Sequence, residues 1–222
     1  FINNLIIWSN MQHKNILPLL GANVVIPQPY IVNPFLSNGN MIGYLNEYPH
    51  KALNILNEVI NFIKDICTGL LYLHNNGIVH GDLRGEHVLI DENKHIKITE
   101  YGIAQVQSNV NENFLSKTNN SVVINYNCWT APELYLRNQV PTEKSDVYSF
   151  GMLCYEILYG NPPFEYRDAR ELKENVCIYK LRPQRSKLNI SCPDWLWQLI
   201  TECWKAEASE RKTLKDIMEV LR

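Results

Sequence analysis

The period of the apolar positions changes along the chain. Phe1, Leu5 and Trp8 recur at helical spacing, so the stretch from Phe1 to Asn10 reads as the end of a helix. Two short extended runs follow, Val24–Ile26 and Tyr30–Val32, separated by Pro27 and Pro29 and closed by Pro34. Ser37-Asn38-Gly39-Asn40 has turn composition. From Leu53 to His74 the period becomes helical. Leu53, Leu56, Ile60, Ile63, Cys67, Leu70 and Leu71 trace one face, and Asn76-Gly77 supplies a left-handed cap. Strands are predicted at His87–Ile90 and His95–Thr99, on either side of the polar turn at 91–94. Residues 107–127 carry no period and read as a long loop, a length that usually serves function or is disordered. From Ser145 the helical period returns: Val147–Tyr159, Ala169–Ile178, Trp195–Trp204 and Leu214–Leu221, with breaks at Pro162-Pro163 and Arg182-Pro183. A few strands followed mostly by helices predict an α+β fold with a dominant helical lobe.

Composition narrows the classes. The 222 residues are 45% hydrophobic and 20% charged, with a formal net charge of −2, which suits a globular chain with a sizeable core. That balance gives no reason to expect nucleic acid or an anionic membrane as partner. The cysteines at 67, 128, 154, 177, 192 and 203 are widely and irregularly spaced, so buried free thiols in a reducing compartment are expected, not a zinc site or a disulfide scaffold. Without an apolar run of about 20 residues or a signal peptide, the expected location is cytoplasmic. The chain opens on Phe1 and reads as a fragment or a processed product.

The chemistry is concentrated in three segments: His80-Gly81-Asp82-Leu83-Arg84-Gly85-Glu86-His87, Thr99-Glu100-Tyr101-Gly102 and Thr130-Ala131-Pro132-Glu133. Further signals are the run from Asp146 to Gly151, Cys203-Trp204 and Arg211-Lys212-Thr213. In this order the segments resemble the protein-kinase catalytic loop, the magnesium-binding triplet and the end of the activation segment, with tyrosine-kinase-like features at Trp129 and Cys203-Trp204. The resemblance runs over nearly the whole chain. It implies a protein kinase-like fold, with a partial small lobe and hinge over 1–36 and a complete, mainly helical large lobe over 37–222.

It also implies roles. Asp82 matches the catalytic base, and Arg84 the basic residue near the transferred phosphate. Asn33 would be the gatekeeper. The Pro34 carbonyl and the Leu36 N–H would meet adenine, and Leu89 would pack beneath the purine. His87 and Glu100 take the positions of the two metal ligands. His80 and Tyr101, with Trp8, match the internal apolar stack between lobes. Asp146 matches the residue that holds the catalytic-loop backbone. Glu133 and Arg211 match a buried, bidentate charge pair.

Four positions depart from the family pattern. Neutral imidazole at His87 is a poor ligand for hard Mg²⁺, and Glu100 is one methylene longer than the usual Asp. Asn4 falls where a helix Glu is expected, so it cannot form the ion pair that holds the phosphates. Gly81 replaces an arginine that binds activation-loop phosphate, so phosphate on Ser108, Ser116, Thr118, Ser121 or Tyr126 would lack that partner. Together these predict a pseudokinase acting in signalling through a protein partner or nucleotide. The alternative is an active ATP-dependent protein kinase that uses Asp82 as base, with Mg²⁺ or Mn²⁺. A small-molecule phosphotransferase, which shares the His-Gly-Asp step, fits the Ala131-Pro132-Glu133 and Cys203-Trp204 segments poorly.

Overall fold

The computed structural model describes residues 2–25, 30–47, 55–101, 127–136, 139–165 and 168–222. Two helices organise it. Helix α3, Ile55–Asn75, turns an apolar stripe of Val59, Phe62, Ile63, Ile66, Leu70 and Leu73 inward. Glu58 in its first turn complements the helix dipole. Gly77, at φ +71°, lets the chain leave, and the Gly77 and Ile78 N–H groups bond back to the His74 and Leu73 carbonyls. Helix α4, Glu143–Tyr159, opens with a reciprocal capping box between Thr142 and Ser145 and ends at Gly160, φ +82°. Every residue from Ser145 to Leu158 is buried, so α4 is the central rod of the lobe. It packs on α3 and on α6, Asp194–Cys203, while α7, Leu214–Val220, covers α3 from another side.

Strands β3, Val88–Ile90, and β4, Ile96–Ile98, form an antiparallel hairpin with Val88 opposite Ile98 and Ile90 opposite Ile96. Those four side chains are buried, and the hairpin lies against α3. Its turn is held by Asp91 Oδ1, which accepts the Asn93 and His95 N–H groups. Helix α1, Ile2–Ser9, and strands β1, Gly21–Asn23, and β2, Tyr30–Val32, precede α2, Met41–Glu47. Asn15 joins this first part to the hairpin: its carbonyl accepts the Ile98 N–H, and its side-chain amide donates to the Ile96 carbonyl. The mix of short strands and a helical lobe is α+β.

Several expectations are corrected. The strand partner of Tyr30–Val32 is Gly21–Asn23, not Val24–Ile26: Val24 and Val25 lie past the strand, 46% and 66% exposed, and Ile26 is outside the described residues. Helix α2 carries no strong sequence signal, yet Asn40 caps it through the Gly43 N–H, and Met41, Tyr44 and Leu45 are buried at helical spacing. The helix expected at Ala169–Ile178 divides into α5, Ala169–Lys173, and a π turn, Glu174–Ile178. The Asp168 side chain caps α5. Residues 102–126, with the candidate phosphorylation sites and Gly102, lie outside the described residues, as does the side chain of Asn4. Five cysteines are buried and Cys177 is half-buried. All six are free. Burial raises the thiol pKa at each of Cys67, Cys154, Cys177, Cys192 and Cys203, which makes them inert.

Candidate functional site

The segment from His80 to His87 leaves α3 and is pinned from below by α4. Asp146, 1% exposed, accepts the His80 N–H at 2.8 Å and the Gly81 N–H at 2.9 Å, and pairs with His74 Nε2 at 2.8 Å. Gly81 sits at φ +81°, a conformation that costs side chains other than glycine roughly 1 kcal/mol or more. The local backbone therefore gives a reason for glycine here that is independent of phosphate recognition. His80 is fully buried, which lowers its pKa to about 4, so the ring is neutral. Its Nδ1 accepts the Asp82 N–H at 3.3 Å.

Asp82 emerges from this turn with its side chain 36% exposed. Asn127 Nδ2 donates to Asp82 Oδ1 at 3.0 Å. The same amide's Oδ1 accepts from the Trp129 N–H and the Thr130 hydroxyl, which fixes its orientation. Arg84 Nε lies 3.5 Å from Asp82 Oδ2, and Arg84 Nη1 lies 3.1 Å from Glu86. Asn127 thus orients Oδ1 before any substrate arrives, and Arg84 faces Oδ2 at ion-pair distance without a hydrogen bond from Nε. Asn127 escaped sequence reasoning. Its only signal was its place just ahead of Trp129-Thr130, in an asparagine-rich segment.

His87 is 93% buried as a side chain, being 7% exposed. Its Nδ1 donates to the Asp82 carbonyl at 2.7 Å. Its Nε2 lies 3.2 Å from Glu100 Oε2 and 3.3 Å from Arg84 Nη2. A neutral ring accepts there from Arg84, and a protonated ring donates to Glu100. The ring thus pairs with Glu100 only when protonated, and with Arg84 when neutral. Glu100 is held at φ +57°. Among the described residues, no group of three or more His, Cys, Asp or Glu side chains is arranged to hold a metal ion. The donor set does not fit Mg²⁺, which needs near-octahedral oxygen ligation.

A cavity of about 390 Å³ opens beside Glu100, lined by Trp8, Leu17, Leu19, Asn33 and Tyr101 among others. Trp8 meets Tyr101 edge-on, with ring centroids 5.6 Å apart. Asn33 faces this cavity and donates to the Pro18 carbonyl at 2.9 Å. Pro34, Leu36 and Leu89 are not among the residues lining this cavity, and Leu89 pairs opposite Lys97 in the β3–β4 hairpin.

At the far end of the site, Arg211 Nη1 and Nη2 each donate to a Glu133 carboxylate oxygen at 2.7 Å. This is a bidentate pair 78 residues apart in sequence. The protein tyrosine and serine/threonine kinase family model matches residues 1–221.

The chain belongs to the protein kinase family.

Relatives include a serine/threonine-protein kinase of Arabidopsis thaliana, 29% identical over 222 residues, which cover all of this chain and 36% of the relative. Megakaryocyte-associated tyrosine-protein kinase of Rattus norvegicus is 31% identical over 223 residues, all of this chain and 44% of the relative. Tyrosine-protein kinase Abl of Drosophila melanogaster is 29% identical over 223 residues, all of this chain and 13% of the relative. The chain therefore spans less than half the length of these relatives.

One further residue of the kinase domain belongs to the site. Glu156, 4% exposed on α4, accepts both the Gly85 N–H at 3.1 Å and the Trp129 indole N–H at 3.0 Å on Oε2. It ties the catalytic loop to the stretch ahead of Ala131-Pro132-Glu133. A Cβ at Gly85 would stand 3.0 Å from this oxygen and 2.4 Å from the Ile42 side chain, so any larger residue there would force Ile42 to move. Burial pushes the Glu156 carboxyl up to about 8, the two N–H donors only partly offsetting it. A carboxyl raised from 4.5 in this way favours the folded state most at low pH, and that advantage is lost as pH rises through about 8. Relative to Glu156→Gln, the natural protein is therefore expected to lose on the order of a few kcal/mol between pH 5 and pH 8.5. Urea denaturation of both proteins at the two pH values measures this. A difference that does not change with pH would contradict it.

Proposed function

We propose that this kinase domain is a pseudokinase, working in cytoplasmic signalling by engaging a protein partner or a nucleotide without transferring phosphate. The observation that carries the reading is that His87, in one of the two positions where the family places its metal ligands, has both ring nitrogens against protein groups: the Asp82 carbonyl on Nδ1, and Arg84 and Glu100 within 3.3 Å and 3.2 Å of Nε2. The scaffold around them is intact: Asp146 holds the loop backbone, and Glu133 pairs with Arg211. Loss of metal chemistry with retention of architecture suits a binding role, because function resides in sites and not in folds. The charge balance supports a protein partner over nucleic acid, and no described helix is long and apolar enough to cross a membrane.

Thermal denaturation with and without Mg-ATP tests the reading. At 100 times Kd a ligand adds about 2.7 kcal/mol. The expected shift at millimolar Mg-ATP is no larger than that given by ATP with a chelator. A rise of several degrees that depends on Mg²⁺ would count against it.

The second reading is an active ATP-dependent protein kinase. What favours it is Asp82, which is partly exposed and held in place by Asn127 and Arg84, as a general base needs to be. The phosphotransfer assay argued in the Discussion separates the two.

A further inference from the structure

A cavity of about 310 Å³ lies between the end of α3, the start of α4 and the start of α7. It shares no lining residue with the cavity beside Glu100. Its apolar walls are Leu71, Val147 and Leu214, and Lys215 lies at its edge. One buried polar side chain also lines it. That is His74, only 5% exposed.

The wiring of His74 decides what the cavity can take. Its Nε2 faces Asp146 Oδ2 at 2.8 Å, and Asp146 also accepts the His80 and Gly81 N–H groups. A carboxylate can only accept, so Nε2 carries the ring proton. Nδ1 of the neutral ring is then a lone pair. Its nearest ionic neighbour, Glu143 Oε2, stands 4.0 Å away, outside hydrogen-bond reach, and is an acceptor too. A proton on Nδ1 would favour an anion there. The cationic side chains that face the cavity are Lys144 and Lys215, against the single acid Glu143, which is 64% exposed and free to turn to water. Lys144 donates to the Arg211 carbonyl, and Lys215, exposed and also lining the cavity, supplies the second cation. A cavity at the small end of ligand-site volumes with apolar walls suits a short hydrophobic body.

We propose that this cavity is a binding site for a small amphiphilic carboxylate, taken up together with one proton. The proton comes from solvent and forms the Nδ1–H bond of His74. No other bond is made or broken. The resulting imidazolium lies between Asp146 and the ligand carboxylate, and the apolar body lies on Leu71, Val147 and Leu214. A cationic head would be repelled by the two lysines, and a neutral alcohol would gain one hydrogen bond without the ion pair. Asp146 Oδ2 is shared by His74 Nε2 and the His80 N–H, so charging His74 acts on the oxygen that holds the catalytic loop. Occupancy of the cavity is thereby coupled to His80 through Oδ2, and to Gly81 through Oδ1 of the same carboxylate. The proposal does not depend on whether the domain transfers phosphate.

Calorimetric titration with sodium octanoate tests it, with octan-1-ol and octylamine as the neutral and cationic comparators. Saturable octanoate binding is expected, about fivefold or more tighter than either comparator. Repeating it in buffers of different ionisation heat should show uptake of close to one proton. Lys215→Glu, on an exposed side chain, should weaken octanoate about fivefold or more with no loss of fold. His74→Gln keeps an N–H for Asp146 but has no basic Nδ1, and it should abolish the proton uptake. The Gly81 amide resonance should shift in step with saturation. No saturable heat up to about 10 mM, equal affinity for octan-1-ol, or indifference to Lys215→Glu would each overturn the site. Binding that leaves the Gly81 amide unmoved would overturn the coupling.

Discussion

Arg211→Ala should lower the melting temperature by roughly 10 °C or more, the largest loss expected from any single substitution outside the apolar core. The Arg211 side chain has no solvent exposure. Besides the two bonds to Glu133, its Nη1 reaches the Lys144 carbonyl at 2.8 Å, its Nε the Lys205 carbonyl at 2.9 Å and its Nη2 the Ala206 carbonyl at 3.2 Å. Its guanidinium also lies 5.1 Å from the ring centre of Tyr148, which is buried in α4. Truncation strands the Glu133 carboxylate and three carbonyls at once. Removing one partner of such a pair costs ~3–5 kcal/mol. Arg211→Lys keeps the charge but not the planar fork, so an intermediate loss is expected. Glu133→Gln should cost less than Arg211→Ala, because the amide oxygen still accepts one Arg211 N–H and the guanidinium keeps its three carbonyl acceptors. Differential scanning calorimetry ranks the three. A fall of no more than a degree or two for Arg211→Ala would mean that the pair adds little to the lobe.

That pair shows where a sequence is informative and where it is not. Nothing in periodicity links residues 133 and 211. Only family resemblance brings them together, and the structure places the two groups at 2.7 Å. The long helices were legible because a stripe such as Phe62, Ile63, Ile66 and Leu70 must be buried. Helix α2 was not, since seven residues with Gly43 among them carry too little pattern, and its cap is a single Asn40. The run Val24–Ile26 looks like a strand by its β-branched content. Antiparallel pairing with Tyr30–Val32 instead selects Gly21–Asn23, whose small side chains contribute little to the choice.

In the site, Asp82, His87 and Glu100 could be placed by motif, but their mutual contacts could not. Whether an imidazole at 87 faces a metal or a neighbour depends on χ angles that the sequence does not reveal. Glu156 and Asn127 were missed for different reasons. Glu156 could have been noticed as an acid in a segment whose neighbours are almost all apolar, a position that demands hydrogen-bond donors. Asn127 is one asparagine among several near the end of an aperiodic stretch, and only the fold brings it to Asp82.

Phosphotransfer to peptide substrates is expected to be at background, and restoring one residue is expected not to rescue it. Asp82 is oriented to accept a proton, but general-base assistance is worth only ~10²–10⁴-fold. Most of the acceleration in phosphoryl transfer comes from positioning and from cations that neutralise the phosphates. Those cations need ligands, and here His87 is committed to the Asp82 carbonyl and to Glu100 or Arg84. Glu100→Asp shortens the carboxylate but leaves the imidazole in place. His87→Asn supplies an oxygen but leaves the carboxylate one methylene too long, and a ~1 Å error in placement can cost ~100-fold. Groups that act as a unit give non-additive gains, so each single repair should stay near background, and the double variant is the first in which metal-dependent turnover becomes conceivable. The measurement is transfer of radiolabelled phosphate to mixed peptides in Mg²⁺ or Mn²⁺, with Asp82→Asn as the blank. It is made on this chain and on any longer polypeptide that contains it. Turnover by the natural sequence that disappears in Asp82→Asn would overturn the pseudokinase reading and make Asp82 the base of a working kinase.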